Sequence, residues 1–189
     1  MNILGIETSC DETAAAVVRD GQTILASVVA SSLSDHQRYG GVIPEIASRK
    51  QLELITAVVD QALTKAKVKL SSITAIAVTQ EPGLIGSLLV GLSYARALSF
   101  ALHKPLIQVD HVQAHLYASF LSEHSSRRGR SQKAGQSPSS IPRLPAVGLI
   151  VSGGHTSLYL IKNFRKFLLL GQTRDDAAGE AFDKVARIL

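Results

Sequence analysis

Two histidines four residues apart, His111 and His115, open the segment HVQAHLYASF. On a helix, residues at i and i+4 project from one face about one turn apart, so both imidazoles can reach one divalent cation. The spacing fits equally well two surface or capping histidines. Position 112 is Val, where the helix of a zinc protease carries the Glu that acts as general base. The pair therefore reads as a metal site without a protease's base, and two ligands leave the cation in need of a third from elsewhere.

Two polar turns offer further chemistry. Ser152-Gly153-Gly154 follows the apolar run 147–151. Paired glycines let a backbone approach a phosphate closely and turn its N–H groups outward; a tight hairpin is the other reading. Near the N-terminus, TSCDET (8–13) presents Ser9, Asp11 and Glu12, hydroxyl and carboxylate groups suited to a phosphate-bound Mg²⁺, or to ordinary turn chemistry. Cys10 needs no catalytic role, because neighbouring acids raise a thiol pKa. At the far end, Asp175-Asp176 suits a helix start, with Asp176, Gly179, Glu180, Asp183 and Arg187 on one face. A helical Gly costs about 1 kcal/mol against Ala, so Gly179 implies a close approach, with a ribose or base as one candidate. A solvated face with an Asp183–Arg187 ion pair is the other reading.

The elements that must position these residues follow from periodicity. Residues 2–7, 14–19 and 22–31 read as strands, the last two joined by the two-residue hairpin signal Asp20-Gly21. Helical spacing of apolar residues runs from Pro44 to about Lys65. A strand over 73–79, a helix over 84–102, a strand over 106–110 and a helix over 111–122 complete the first set. The order βββαβαβα calls for a mixed sheet with crossover helices, an α/β fold. The pattern then restarts, with strands over 145–152, 156–162 and 166–170 and a helix over 176–189. A repeated βββα unit with a polar turn after its first strand is the arrangement by which two-lobed actin-like ATPases hold phosphate. The expected organisation is a first lobe over 1–123, a flexible basic loop over 124–145 and the start of a second lobe over 146–189. That second lobe is expected to be incomplete.

The chain has 189 residues, 46% of them hydrophobic and 19% charged, enough to bury a core. The single Cys excludes a disulfide framework and fits a reducing compartment. The first dozen residues carry three acids and no basic cluster, unlike a signal peptide. The stretch 84–102 is apolar enough for a membrane span, but it carries Arg96 and the small residues Gly86, Ser87, Gly91, Ser93 and Ala95. A helix buried in the core explains these better than a span, where a central Arg costs about 2.5–3.5 kcal/mol. The net charge of +5 comes entirely from residues 124–145, which hold five basic residues and no acid and leave 15 basic against 15 acidic elsewhere. That polar segment cannot offset its ordering entropy by burial and reads as a surface loop. A basic arm touching RNA phosphates is the sharper alternative.

The motifs GIETSCDET (5–13), YGGVIPEIASR (39–49), PGLIGSLLVG (82–91), HVQAH (111–115), VSGGHT (151–156) and DDAAGEAFDKVARIL (175–189) together resemble the tRNA N6-adenosine threonylcarbamoyltransferase family, TsaD in bacteria. The resemblance implies actin-like, ribonuclease H-like lobes and one divalent metal, iron or zinc. It places His111 and His115 at the histidine ligands, with an aspartate ligand beyond Leu189. It places Ile150, Val151, Ser152, Gly153 and Gly154 against a nucleotide-like substrate, and Asp183 at ribose hydroxyls. The implied reaction moves a threonylcarbamoyl group from threonylcarbamoyl-AMP to N6 of adenosine 37 in tRNAs reading ANN codons, with ATP and Mg²⁺ as related ligands. Implied partners are tRNA, a catalytically silent paralogous subunit and a small ATPase, in the cytoplasm and without a membrane. A fragment of such an enzyme is expected to be inactive alone. Glu81, Gln51 and Asp110 depart from the family pattern, which has a small residue, a histidine, and His or Asn there; Asp110 could accept a hydrogen bond from a histidine. The alternatives are a metalloendopeptidase, which the missing Glu opposes, and a non-catalytic interaction protein like the silent paralogue, which lacks the paired histidines.

Limited trypsin digestion is expected to cut first at Arg127, Arg128 or Arg130. First cuts elsewhere, with this segment resistant, would remove the flexible-loop reading.

Overall fold

A computed structural model describes residues 1–123 and 142–189. Residues 124–141, and with them most of the expected basic loop, lie outside the described residues.

The described chain forms two compact units. The first comprises residues 1–111 and 121–123. Its strands are β1 (Asn2–Glu7), β2 (Glu12–Arg19), β3 (Thr23–Ser31), β4 (Ala75–Glu81), β5 (Leu106–Asp110) and the two-residue β6 (Ser122–Glu123). They form one mixed sheet in the order β5-β4-β1-β2-β3-β6. β1 runs antiparallel to β2 and parallel to β4, and β4 runs parallel to β5. The Asp20-Gly21 signal makes a tight turn, with Asp20 at φ 53° and Gly21 at φ 72°. Two consecutive positive φ values give the twist that matches the flanking strands. The helices of this unit are the short α1 (Leu33–His36), α2 (Pro44–Ala66) and α3 (Ile85–Leu102). α1 was not legible in the sequence; it forms where buried His36 accepts a bond from the Ile43 amide at Nδ1 and Ser32 Oγ lies against Nε2.

Leu4, Ile6, Val17 and Ile76 from the sheet pack against Ile55, Val58 and Val59 of α2 to form the core of this unit. Full burial of such side chains contributes about 1.5–3 kcal/mol each. α3 is not buried all round, as was expected from its composition. Ser87, Leu88, Gly91 and Ala95 are buried, whereas Ile85, Leu89 and Phe100 are exposed. Its small residues serve close packing: a Cβ on Gly91 would lie 2.4 Å from Thr8 Oγ1, and one on Gly86 3.3 Å from Ser48.

The second unit comprises residues 112–120 and 142–189. It carries most of α4 (His111–Ala118) with β7 (Ala146–Val151), β8 (Thr156–Asn163), β9 (Lys166–Gln172) and α5 (Ala178–Ile188). The three strands form an antiparallel sheet in chain order. Val112, Leu116 and Phe120 pack on Ile150 and Ile161, so the apolar stripe of α4 belongs to this core. α4 ends four residues before the expected limit at Ser122, where the chain turns into β6. Asp175 and Asp176 do not cap α5. Ala177 precedes it, and Thr156 Oγ1 accepts the Ala178 amide at 2.8 Å, while Asp176 pairs with Lys184 at 2.6 Å.

Gly91→Ala is expected to destabilise by about 1–3 kcal/mol through overpacking, because fully buried Thr8 cannot swing away. Gly41→Ala, with open space around its Cβ, should stay within about 0.5 kcal/mol. Urea unfolding midpoints of the two variants test the contrast.

Candidate functional site

β1, β4 and β5 are adjacent and parallel, so their C-terminal ends lie on one edge of the sheet. Ile6 is level with Val78, and Thr79 with Val109. Glu7, Thr79 and His111 therefore leave the sheet together, at the edge where open α/β sheets bind ligands. The Glu7 carboxylate is the common acceptor. Its Oε1 takes the Ser9 amide, and its Oε2 takes the Thr79 hydroxyl and lies 3.3 Å from His111 Nδ1. Ser9 Oγ lies 3.1 Å from the same nitrogen. Burial alone would raise the Glu7 carboxyl, but the bonds from His111, Ser9 and Thr79 outweigh it and hold the group at about 2. The His111 imidazole is correspondingly raised, first by its bond to Glu7 against the opposing effect of burial, with added attraction from Asp110.

The turn after β1 is clamped from three sides. Leu84 N donates to Ser9 O at 2.7 Å, and a Cβ on Gly83 would meet that oxygen at 2.5 Å. Thr8 Oγ1 donates to Ser87 O at 2.8 Å, and Ser87 Oγ to Cys10 O at 3.0 Å. Gln51, fully buried, donates from Nε2 to Cys10 O at 2.9 Å and Glu12 O at 3.0 Å, with Thr8 O at 3.4 Å. Gln51 thus satisfies carbonyls of this turn and of the strand that follows it. Ser9 is buried against His111, while Glu12 is exposed; the Asp11 carbonyl accepts Ser32 Oγ at 2.6 Å. Partial burial, then the Asp11 carboxylate, push the Cys10 thiol up to about 11, which leaves it unreactive at neutral pH.

In the second unit, Ser152 closes the β7–β8 hairpin, with its amide donating to His155 O at 2.8 Å and its Oγ accepting the His155 amide at 2.9 Å. What approaches Gly179 closely is this turn: Gly179 N donates to Ser152 O at 3.1 Å, and a Cβ would lie 2.8 Å from that oxygen. Space is open at the Cβ positions of Gly153 and Gly154. Asp183 is exposed one turn along α5 from Gly179. A groove of about 380 Å³ brings His115 together with Ile150, Val151 and Ser152, within the size range of small-ligand sites. Gly153, Gly154 and Asp183 are not part of its lining.

His111 and His115 share α4. Metal-ligating histidines ordinarily give their second ring nitrogen to a carboxylate or carbonyl, and Glu7 is such a carboxylate at His111. His111 is thus held in the way that fits a metal-ligating histidine; among the described residues no group of three His, Cys, Asp or Glu could hold a metal by itself. Val112, where a peptidase base would stand, is buried in the core. Glu7 escaped the sequence reading, which considered Asp110 as the acceptor. Its place as the last residue of a buried strand, ahead of a polar turn, is the one signal that marked it.

The sheet order, the ligand-binding edge and the polar turns are those of the actin-like ATPase fold. The chain superimposes on YeaZ from Pseudomonas aeruginosa with TM-score 0.50 and 16% identity, over 92% of this chain and 68% of that one. It also superimposes on the ethanolamine utilization protein EutJ from Carboxydothermus hydrogenoformans with TM-score 0.50 and 11% identity, over 100% and 58%. The sequence narrows this to one family: the model for tRNA N6-adenosine threonylcarbamoyltransferase, TsaD, matches residues 23–189. A protein of that name from Syntrophus aciditrophicus is 53% identical over 189 residues, all of this chain and 51% of the relative. The chain belongs to the TsaD family, and it spans about half the length of the curated relatives it matches.

Glu7 stabilises the fold as a carboxylate. Its lowered pKa makes that contribution complete above the ordinary value of 4.5 and lost as pH falls through about 2. The raised His111 contributes fully below its ordinary 6.5 and loses the contribution as pH rises through its higher folded value. Urea midpoints across pH should therefore show wild type losing stability in acid more steeply than Glu7→Gln. Its advantage over the variant should also shrink on the alkaline side; parallel profiles would contradict this account.

Proposed function

We propose that this chain forms part of an enzyme that transfers the threonylcarbamoyl group of threonylcarbamoyl-AMP to N6 of adenosine 37 in tRNAs reading ANN codons. The N6 nitrogen forms the new bond to the carbamoyl carbon, AMP leaves with the bonding pair of the broken anhydride, and one proton is released. The observation that carries this reading is the 53% identity, along the whole chain, to a protein named for that activity. The alignment of Glu7, Ser9 and His111 at the sheet edge supports it.

In this reading His111 and His115 hold one iron or zinc ion, whose contribution when bound is to polarise a carbonyl oxygen. Glu7 accepts a hydrogen bond from His111 Nδ1–H and holds the ring in place. The turn Ser152-Gly153-Gly154, with Ile150 and Val151 before it, meets the nucleotide portion of the substrate, as the groove beside His115 supports. Asp183 binds ribose hydroxyls, and the seating of Gly179 on Ser152 sets its distance from that turn. The exposed carboxylate of Glu12, with Asp11, is the place for a phosphate-bound Mg²⁺. The reaction takes place in the cytoplasm with a silent paralogous subunit and a small ATPase, and the 189-residue chain is inactive alone.

Nucleoside mass spectrometry of tRNA incubated with ATP and the partner proteins tests the proposal. The chain alone should yield no threonylcarbamoyladenosine. A version extended to the length of its relatives should yield it, and His111→Ala in that version should abolish it. Robust product from the 189-residue chain would show that the site is misplaced.

A further inference from the structure

The acceptor at His111 Nδ1 decides which face of that imidazole is offered to a ligand. Glu7 Oε1 is occupied by the Ser9 amide, a group that can only donate, and Oε2 receives the Thr79 hydroxyl. With both oxygens accepting, the remaining partner of Oε2, His111 Nδ1 at 3.3 Å, must supply a proton, which it shares with Ser9 Oγ at 3.1 Å. An imidazole that carries its proton on Nδ1 presents its lone pair at Nε2. The ring is only 22% exposed, and the carboxylate that holds it is 33% exposed.

Glu7 is itself fixed from two further elements. Thr79 is 5% exposed within β4, and Ser9 is 3% exposed in a turn pinned by Leu84 N and closed to any Cβ at Gly83. A side chain held by a strand hydroxyl and a turn amide has no rotamer freedom left with which to release the histidine.

We infer that Glu7 is the positioning residue for the cation-binding histidine, holding His111 as the Nδ1–H tautomer so that Nε2 is the ligating atom. The inference rests on the metal reading proposed above. Glu7 touches neither metal nor substrate; it acts through His111, and Ser9 and Thr79 act through Glu7. Loss of such an outer carboxylate weakens metal binding by about 10–100-fold.

Two measurements on the whole chain test it. With ¹⁵N-histidine labelling, two-bond ¹H–¹⁵N correlation spectra, assigned by His111→Ala, should show His111 as the Nδ1–H tautomer in wild type. In Glu7→Gln, whose amide can donate to Nδ1, the Nε2–H form should gain. Wild type in the Nε2–H form overturns the inference and needs no variant to fold. Cobalt(II) titration followed by visible absorption should give an affinity about 10–100-fold weaker for Glu7→Gln than for wild type. Thr79→Val, which frees the carboxylate without removing it, should weaken binding less than Glu7→Gln does. Both variants should keep cooperative thermal unfolding. Cobalt binding that depends on His111 but is equal in wild type and Glu7→Gln sinks the role of Glu7 and leaves the metal reading standing. No cobalt binding by wild type sinks the metal reading, and the inference with it.

Discussion

A single carboxylate at the end of the first strand organises the first unit's polar edge. Glu7 is two-thirds buried, an environment that disfavours its charge, and it remains ionised because an amide, a hydroxyl and an imidazole converge on its two oxygens. These donors are 2, 72 and 104 residues away in sequence. They meet only because β1, β4 and β5 are parallel, adjacent and in a register that ends them at one level. A slip of one residue in β4 would turn Thr79 to the other face of the sheet and leave the carboxylate short of a donor.

The turn that follows Glu7 shows how a polar loop is buried without orphaned carbonyls. Gln51 donates to it from α2, and Ser87 from α3, with Gly83 and Gly91 allowing the close approach. The same requirement explains a composition that otherwise imitates a membrane helix. α3 is apolar overall, yet the positions facing the turn are Ser87 and Gly91, chosen by distance and hydrogen bonding and not by hydropathy. Gln51 completes this arrangement at the expense of its own Oε1, which is buried with no partner among the described residues.

The second unit repeats the logic with different parts. Its first strand also runs into a polar turn, but here the turn is a closed hairpin, and a helix is seated on it through Gly179. The start of that helix takes its hydrogen bond from Thr156 on the neighbouring strand. The turn and the helix face bearing Asp183 are consequently fixed to one another by backbone contacts, which tolerate less variation than side-chain contacts do.

What the sequence determined by itself is local and periodic. The strand over residues 2–7, the Asp20-Gly21 turn, the helix from Pro44 and the strand over 106–110 follow from alternation, helical spacing and turn chemistry within a few residues, as does the placing of His111 and His115 on one helix. The motifs also carried the family. Sequence spacing does not encode which residue a buried polar group meets across the sheet. Asp110, adjacent to His111, was the acceptor the sequence could suggest, and the sequence did not reveal that Glu7, 104 residues away, holds the imidazole. Gly179 implied a close approach without naming what approaches, and it is a hairpin of the same chain. Asp176 looked like a helix cap, yet Thr156 takes that amide. In each case the partner comes from an element distant in sequence, a strand for His111 and Ala178 and a hairpin turn for Gly179, and only the folded chain brings it within hydrogen-bond distance.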